Sequence, residues 1–364
     1  MIFTENDKKY MAVALKLAEK AKGRTFPNPS VGAVVVANGA IVGRGSTAVC
    51  GGPHAEKTAL KKAGNMSFDA SLYVTLEPCD HFGKTPPCTD AIIKAGIKKV
   101  YVAHIDPNPV VCGRGIRKLR KNGIKVYTGL LKNEAAALNE DFFWSIVKKR
   151  PWVTLKLALT WDGRIADNFG KSKWITSFSS RTFVHELRRR HGAVAVGAKT
   201  LLNDNPKLSV RHVKGPDSAR IVFSSDHKLP ATSYFMNNAD EARSIVVISG
   251  GIKKNIEKKS GGIEIWYTGR KSKRESIKTF LSMAYNEGLT SILVEGGQKL
   301  ASVFMEAGYV NRVYFFYGNK LLGKGLEAFS FEKGLPLSRA VELRKISVQT
   351  FGSDVMVTGI PVWR

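Results

Sequence analysis

The chain has 364 residues, of which 43% are hydrophobic, and its 57 Lys and Arg against 30 Asp and Glu give a formal net charge of +27. This length predicts two domains, with enough chain for two hydrophobic cores. No run approaches the ~18 consecutive apolar residues of a transmembrane helix, and the first seven residues lack a secretory pattern. These features exclude a membrane-spanning protein and make the cytoplasm the expected compartment.

The positive charge is spread over the whole chain. Residues 1–150 contain 24 Lys and Arg against 12 Asp and Glu, and the remainder contains 33 against 18. Nucleic-acid binding proteins more often concentrate charge in a patch with interleaved aromatic residues. The basic runs at 188–190 and 271–274 lack such aromatics, and we interpret them as solvated helix faces. The distribution disfavours nucleic acid as a partner and is compatible with steering of phosphorylated ligands.

Hydrophobic periodicity predicts an α/β order for the first 150 residues. The expected elements are a helix over 6–21, a strand over 31–36, a helix from His54, a strand over 72–76, a helix over 88–95, a strand over 99–103, a basic helix, a strand over 124–127 and a helix over 134–147. Residues 43–48 approach the glycine pattern of a dinucleotide site but are interpreted as a turn. Helices are expected to cover both faces of one sheet.

A charged run followed by a proline, Lys148-Lys149-Arg150-Pro151, interrupts this pattern and is the best domain boundary. The predicted domains are residues 1–147 and 151–364. Strands of the second domain are predicted at 152–158, 193–196, 220–224, 244–248, 263–267, 291–294 and 312–317. No Gly-x-Gly-x-x-Gly follows a strand, but Val294-Glu295-Gly296-Gly297-Gln298 predicts a strand that ends in glycines before a helix. Such a junction can hold a phosphate on free backbone N–H groups.

Three zinc-type ligands and one separate carboxylate mark the first domain. His54, Cys79 and Cys88 fit a metal site with three protein ligands, which leaves the fourth position for a water that zinc can activate. Glu56 is placed to carry protons beside the metal without binding it. His-x-Glu followed by Pro-Cys is the signature of zinc deaminases. The pattern predicts hydrolytic deamination.

The spacing of the two cysteines departs from the general signature, which has two intervening residues. Eight residues, 80–87, separate Cys79 from Cys88, so a longer loop is expected at the metal. Within this loop, His81 and Lys84 are donors suited to an anionic group. Pro86-Pro87 is expected to start a helix that places Cys88 in its first turn.

Several specific motifs resemble those of the bifunctional riboflavin-biosynthesis deaminase-reductases, and the resemblance covers nearly the whole chain. In the first half they occupy residues 27–32, 53–56, 75–79, 83–88 and 106–109. In the second half they occupy residues 156–160, 162–166, 174–177, 197–200, 204–206 and 294–297. The resemblance implies a cytidine-deaminase-like three-layer N-terminal domain and a C-terminal domain similar to dihydrofolate reductase.

The resemblance also implies ligands and roles. The deaminase half would use Zn²⁺ to act on a small phosphorylated pyrimidine, 2,5-diamino-6-(5-phosphoribosylamino)pyrimidin-4-one, and the reductase half would use NADPH to reduce the ribosyl group to ribityl. The implied substrate contacts are Asn28, His81, Lys84, Asp106 and Asn108 in the first half, and Ser172, Arg188, Leu208, Arg211 and Glu295 in the second. The implied NADPH contacts are Ala158, Trp174, Thr200, Asp204, Ser225, Gly297, Gln298, Lys299, Leu300, Ala301, Ser302 and Val303.

Some alternatives remain open at this point. Lys156 and Asp162 are both candidates for proton delivery in the reduction. An RNA-acting deaminase would share the zinc ligands and explain the charge, but the long loop and the 106–109 motif favour a small substrate. A non-enzymatic zinc module is a third hypothesis, although three ligands with a free glutamate fit an open catalytic site better than a closed structural one. A homo-oligomer is compatible with the sequence.

Overall fold

A computed structural model describes residues 3–82, 86–109, 111–225, 229–249, 255–258, 261–269 and 272–363. The chain divides into two compact units, Met1–Lys149 and Arg150–Arg364. No helix in the described ranges is long and apolar enough to cross a membrane.

The first unit is a five-stranded mixed sheet between two layers of helices. Its elements are α1 (Glu5–Ala21), β1 (Gly32–Ala37), β2 (Ala40–Ser46), α2 (Ala55–Ala63), β3 (Ser71–Leu76), α3 (Cys88–Lys94), β4 (Lys99–His104), α4 (Arg114–Lys121), β5 (Lys125–Thr128), α5 (Lys132–Leu138) and α6 (Glu140–Lys148). The strand order is β2-β1-β3-β4-β5, in which β1 is antiparallel to both its neighbours and β3, β4 and β5 are parallel.

Each face of this sheet has its own hydrophobic core. Val35 and Leu72 pack with residues of α2, α3 and α4 on one face, whereas Val34 packs with Met11 of α1 and Ala135 of α5 on the other. Alternate strand residues point to opposite faces, so a strand buried on both faces reads as a continuous apolar run. This explains why β1 was predictable from its valines. The three-layer fold predicted for this unit is confirmed.

Two predictions for the first unit were wrong. Residues 43–46 lie in strand β2 and not in a turn. The helix predicted over 134–147 is two helices, because Asn139 leaves helical geometry between α5 and α6. The Asn139 side chain pairs with the backbone N–H and C=O of Ser30 at 3.0 and 2.9 Å, so this contact between distant residues replaces helix continuity.

The second unit is built on a ten-stranded sheet. Its elements are β6 (Trp152–Leu159), β7 (Arg164–Ala166), α7 (Phe178–Arg189), β8 (Ala193–Gly197), α8 (Ala198–Asp204), β9 (Ala219–Ser224), α9 (Tyr234–Asn237), β10 (Ser244–Ile248), β11 (Asn255–Lys258), β12 (Ile263–Tyr267), α10 (Lys273–Asn286), β13 (Ser291–Val294), α11 (Gln298–Glu306), β14 (Arg312–Tyr317), β15 (Leu326–Glu327), β16 (Glu342–Phe351) and β17 (Asp354–Val362). The strand order is β11-β12-β10-β9-β8-β13-β6-β14-β17-β16, and β7 pairs with β15 separately.

The strands from β12 to β14 in this order run parallel. Their carboxyl ends therefore meet at one edge of the sheet, where open α/β sheets place ligands. All seven strands predicted for this unit are confirmed, but β7, β11, β15, β16 and β17 were not predicted. β16 is mostly exposed and its apolar residues are interrupted by polar and charged ones, so it lacks the continuous run of a buried strand.

Candidate functional sites

The three predicted zinc ligands converge in the first unit. His54 is the N-cap of α2, Cys79 follows β3, and Cys88 is the first residue of α3. His54 Nδ1 lies 3.5 Å from Cys79 Sγ and 3.3 Å from Cys88 Sγ, and the three ligand atoms all lie within 4.8 Å of one another. The expectation that metal ligands stand at helix starts holds for His54 and Cys88.

This donor set fits zinc. In tetrahedral coordination with the usual Zn–N and Zn–S distances, a nitrogen and a sulfur ligand are separated by about 3.6 Å. The nitrogen–sulfur distances here are close to that value. Hydrogen bonds with the Cys88 thiol first, and then with His54, lower the pKa of the Cys79 thiol to about 4. A thiolate is the form that binds metal, and these hydrogen bonds favour the thiolate of Cys79.

Glu56 stands beside these ligands without joining them. It lies in the first turn of α2 and is only 3% exposed. Burial, followed by the nearby Cys79 charge, raises the pKa of Glu56 to about 7. A carboxyl group with that pKa can both accept and release a proton near neutral pH.

Asp106 is a predicted substrate residue that lies close enough to the ligand Cys79 for their charges to interact. Burial raises its pKa, and the charges that act on it include those of Glu77, His81 and Cys79. Its Oδ1 accepts a hydrogen bond from the backbone N–H of Asn108 at 2.8 Å, which fixes the loop after β4. Asp106 and Asn108 therefore form one local unit at the metal site.

The remaining predicted residues of this half differ in placement. His81 is exposed in the loop between the cysteines, and Asn28 is half-buried in the turn before β1. The Thr25 hydroxyl donates to the Asn28 carbonyl at 2.9 Å, which holds that turn. Lys84 lies outside the described residues. The roles of these three residues stay predictions.

A buried ion pair lies at the carboxyl edge of the second sheet. Arg188 of α7 donates to Glu295, which follows β13, through Nε at 2.6 Å and Nη2 at 3.0 Å, and donates to the Ser209 carbonyl at 3.0 Å. Burial alone would raise the pKa of Glu295, but the Arg188 charge and hydrogen bonds bring it below its usual value. The prediction that residues 188–190 form a solvated face was wrong for Arg188 and Arg189, which are both paired and largely buried.

Lys156 of β6 faces this ion pair. Burial lowers its pKa, while the Glu295 charge opposes the change. Its ammonium also lies 5.9 Å from the centre of the Phe316 ring. Asp162, the other candidate proton donor, instead accepts hydrogen bonds from the Thr160 hydroxyl and from the backbone N–H groups of Leu322 and Gly323.

Arg211 lies beside the Arg188–Glu295 ion pair, on a loop that hydrogen bonds hold in place. Its backbone N–H donates to His185 Nδ1 at 3.0 Å, and its guanidinium donates to the Ser209 hydroxyl at 2.9 Å. His185 was not predicted, because a lone histidine in a helix carries no distinctive spacing. The predicted residue Leu208 has its side chain in the core, so only its backbone is available to a ligand.

An open depression of about 400 Å³ lies where the 169–173 segment meets the end of α8. The Ser172 hydroxyl lies 3.5 Å from the Asp204 carboxylate there, so the structure brings together one predicted substrate contact and one predicted cofactor contact. Trp174, the next predicted residue, is 60% exposed and stacks on Arg181 at 4.2 Å. Arg181 also went unpredicted.

The glycines after β13 leave room for close packing at the start of α11. A Cβ on Gly296 would lie 2.8 Å from Leu300, and one on Gly297 would lie 3.4 Å from the Thr200 hydroxyl. Gly297 is the N-cap of α11, so the N–H groups of the first helical turn have no partner within the helix. This junction fits a phosphate group.

The predicted NADPH segment is only partly accessible. The side chains of Leu300, Ala301 and Ser302 are buried, and Val303 packs against the core. The Ala301 N–H already donates to Gly297 O. Contact with a ligand is therefore expected from Gly297, Gln298 and Lys299 and from the backbone of Leu300. Ala158 and Ser225 lie at the carboxyl ends of β6 and β9, on the same edge of the sheet.

Two family models match the chain. The cytidine and deoxycytidylate deaminase zinc-binding region matches residues 4–104, and the RibD C-terminal domain matches residues 151–357. A riboflavin biosynthesis protein RibD from Aquifex aeolicus (strain VF5) is 43% identical over 357 residues, covering 97% of this chain and 98% of the relative. One from Actinobacillus pleuropneumoniae is 39% identical over 358 residues, covering 97% and 95%.

The chain belongs to the RibD family. A solved structure from Thermotoga maritima, described as a diaminohydroxyphosphoribosylaminopyrimidine deaminase/5-amino-6-(5-phosphoribosylamino)uracil reductase, is 39% identical, with a TM-score of 0.85 and coverage of 98% of this RibD-family chain and 99% of the other. Acinetobacter baumannii RibD is 32% identical, with a TM-score of 0.87 and coverage of 98% and 99%. The match of the second unit to the RibD C-terminal domain argues against an RNA-acting deaminase.

Proposed function

We propose that this RibD-family chain catalyses two successive steps of riboflavin biosynthesis. The first is hydrolytic deamination of 2,5-diamino-6-(5-phosphoribosylamino)pyrimidin-4-one, and the second is reduction of its ribosyl group to ribityl with NADPH. The observation that carries the proposal is the grouping of His54, Cys79 and Cys88 with a separate buried Glu56, in a chain whose second unit matches the RibD reductase region. We assign deamination to residues 1–147 and reduction to residues 151–364.

In the deamination, water adds to the ring carbon that bears the amino group, and the carbon–nitrogen bond then breaks to release ammonia. Zinc, when bound by His54, Cys79 and Cys88, supplies the acidity that turns water into a nucleophile at neutral pH. Glu56 accepts a proton from the water and delivers protons to the ring nitrogen and the departing ammonia. The pKa of Glu56 of about 7 suits both directions of transfer.

NADPH, when bound, would supply the hydride that reduces C1 of the sugar. The chain's own part is to bind the phosphorylated substrate and deliver a proton. Arg211 is exposed beside the Arg188–Glu295 pair and can offer a planar pair of donors to a phosphate. Lys156 is the better proton donor of the two candidates, because the Asp162 carboxylate is engaged in holding the 322–323 loop.

The proposed cofactor site combines the accessible N-terminus of α11 with Thr200, Asp204 and the exposed Trp174 ring. The N-terminus of α11 would bind phosphate through backbone N–H groups, and the Trp174 ring offers a flat apolar face. We also propose the cytoplasm as the compartment, since a reducing environment preserves thiolate ligands.

The test supplies the diaminopyrimidinone phosphate to zinc-loaded protein and follows ammonia release and NADPH oxidation separately. Both are expected, with ammonia release first. Glu56→Gln should keep its zinc and lose deamination by at least about a hundredfold, the scale of general acid–base catalysis. Normal ammonia release from the zinc-loaded variant would contradict the role of Glu56. Ammonia without NADPH oxidation would contradict the reductase assignment.

A further inference from the structure

Glu77 is a buried carboxylate for which the chemistry above has no use. It follows β3 directly, stands two residues before the metal ligand Cys79, and is 4% exposed. A buried carboxylate is costly unless hydrogen bonds compensate for its desolvation. Its partners therefore indicate what it does.

Three hydrogen bonds to the Glu77 carboxylate come from backbone N–H groups of the segment from Asp106 to Ile116. Oε2 accepts from Asp106 at 3.3 Å and from Gly113 at 2.9 Å, and Oε1 accepts from Ile116 at 3.3 Å. Asp106 begins the loop after β4, whereas Gly113 and Ile116 lie at the start of α4. The carboxylate therefore joins the two ends of the 106–113 loop.

The start of α4, which follows this loop, packs closely on the metal-ligand segment. A Cβ on Gly115 would lie 2.0 Å from the Pro78 carbonyl oxygen, so α4 begins in direct contact with the backbone next to Cys79. The Glu77 N–H also donates to the His104 carbonyl at 3.0 Å, which ties β3 to the end of β4. The loop that carries Asp106 and Asn108 is thus held relative to the metal ligands by the Glu77 side chain together with these backbone contacts.

We propose that Glu77 is a positioning residue that holds the Asp106–Asn108 loop in register with the metal ligands, so that the pyrimidine substrate binds in the reactive orientation. This inference rests on the proposed deamination. Residues that hold the surroundings of a metal site in place without binding the metal typically contribute ten- to a hundredfold in metal affinity or in activity. The loss of Glu77 should therefore appear in substrate binding.

The test is Glu77→Gln. The amide has the same shape but only one acceptor oxygen, so its NH₂ group must face at least one backbone N–H of the loop. We expect the KM for deamination to rise about tenfold or more, with a smaller change in kcat, full zinc content and unchanged NADPH-dependent reduction. Glu77→Asp, which keeps the charge but is one methylene shorter, should give an intermediate KM.

Asp7→Asn is the matched control. Asp7 is a buried carboxylate of the same unit that also accepts three hydrogen bonds, from the Thr4 N–H, the Thr4 hydroxyl and the Tyr73 hydroxyl, on the α1 side of the sheet. Asp7→Asn should lower the unfolding temperature of the chain without changing the KM for deamination. An equal rise in KM in both variants, a KM within about twofold of the parent, or loss of zinc from Glu77→Gln would overturn the inference.

The same measurements separate this inference from the proposed function. If the unmodified chain releases no ammonia from the diaminopyrimidinone phosphate, the proposed deamination fails. If it does release ammonia and Glu77→Gln binds the substrate normally, only the positioning role fails. Should Glu77→Gln not accumulate as folded protein, the KM of Glu77→Asp decides between the same outcomes.

Discussion

At the scale of single residues, Arg188 and Glu295 form a buried ion pair in the second unit. Both side chains are largely removed from water, so each charge depends on the other, and the Arg188 guanidinium also donates to the Ser209 carbonyl. A buried pair of this kind need not add much stability compared with apolar side chains, but the loss of one partner leaves the other charge uncompensated.

Arg188→Met is therefore expected to lower the free energy of unfolding by about 3–5 kcal/mol. The double variant Arg188→Met with Glu295→Gln should recover part of that loss, because the Glu295 charge is no longer left without Arg188, while Lys156 loses the opposing Glu295 charge. Chemical denaturation of the full chain measures the free energy of unfolding of both variants. A double variant that is less stable than Arg188→Met would contradict this account.

His185 gives a pH dependence of stability. Burial lowers the pKa of His185 from 6.5 to about 3, and the charges of Arg188, Arg211 and His212 act in the same direction. The charge of Glu295 opposes this change. Below pH 6.5 the unfolded chain binds a proton at this residue that the folded chain does not. The free energy of unfolding should thus fall as the pH drops from 6.5 toward 3.

The comparison that isolates this effect is His185→Asn, whose side-chain oxygen can still accept the Arg211 N–H. The denaturation midpoint of the variant should vary less with pH between 6.5 and about 5 than that of the parent chain. Other titrating groups, including the metal ligands, are shared by both proteins and cancel. Equal slopes would show that His185 is not the responsible group.

At the scale of elements, glycines set how closely helices pack on the first sheet. A Cβ on Gly45 of β2 would lie 2.1 Å from the Ala55 carbonyl oxygen, and one on Gly43 would lie 2.2 Å from that of Ala59. Helix α2, which carries Glu56, therefore rests directly on the backbone of β2. The position of the Glu56 carboxylate depends on this close approach.

Gly45→Ala should push α2 away from the sheet. Overpacking of this kind lowers the free energy of unfolding by about 1–3 kcal/mol. The kcat for deamination should also fall, because Glu56 moves with the helix. The control is Gly334→Ala, where nothing lies within 4 Å of the added Cβ and the change in stability should stay within about 0.5 kcal/mol. Unchanged deamination in Gly45→Ala would rule out this coupling.

The same packing explains which elements could be predicted. Strands buried on both faces, such as β1, carry continuous apolar runs that are visible in the sequence. β2 contains glycines and an exposed arginine because it packs backbone against α2, so its sequence resembles a turn. The break at Asn139 and the pairing of β16 with β17 depend on contacts with distant residues and leave no local signal.

At the scale of the whole molecule, the chain combines two units with separate chemistries. All three metal ligands and Glu56 belong to the first unit, and the Arg188–Glu295 pair belongs to the second. Each group is positioned by contacts within its own unit. The two activities should therefore be separable without cutting the chain.

Removal of zinc with a chelator at neutral pH should abolish ammonia release and leave reduction of the deaminated intermediate intact. Added Zn²⁺ should restore deamination, because three protein ligands suffice to rebind it. Both activities are measured on the same sample, with buffer-treated protein as the control. A parallel loss of both activities would contradict independent sites.

The sequence by itself determined the chemistry of the first unit and the α/β class of both, because His54, Glu56, Cys79 and Cys88 stand in short motifs whose spacing is local. Only the tertiary structure decided the environments of the other groups. It placed Arg188 in a buried ion pair, engaged Asp162 in a loop and made Glu77 the link between a metal ligand and the 106–113 loop. Burial and long-range hydrogen bonds arise from residues far apart in the chain, so no local pattern encodes them.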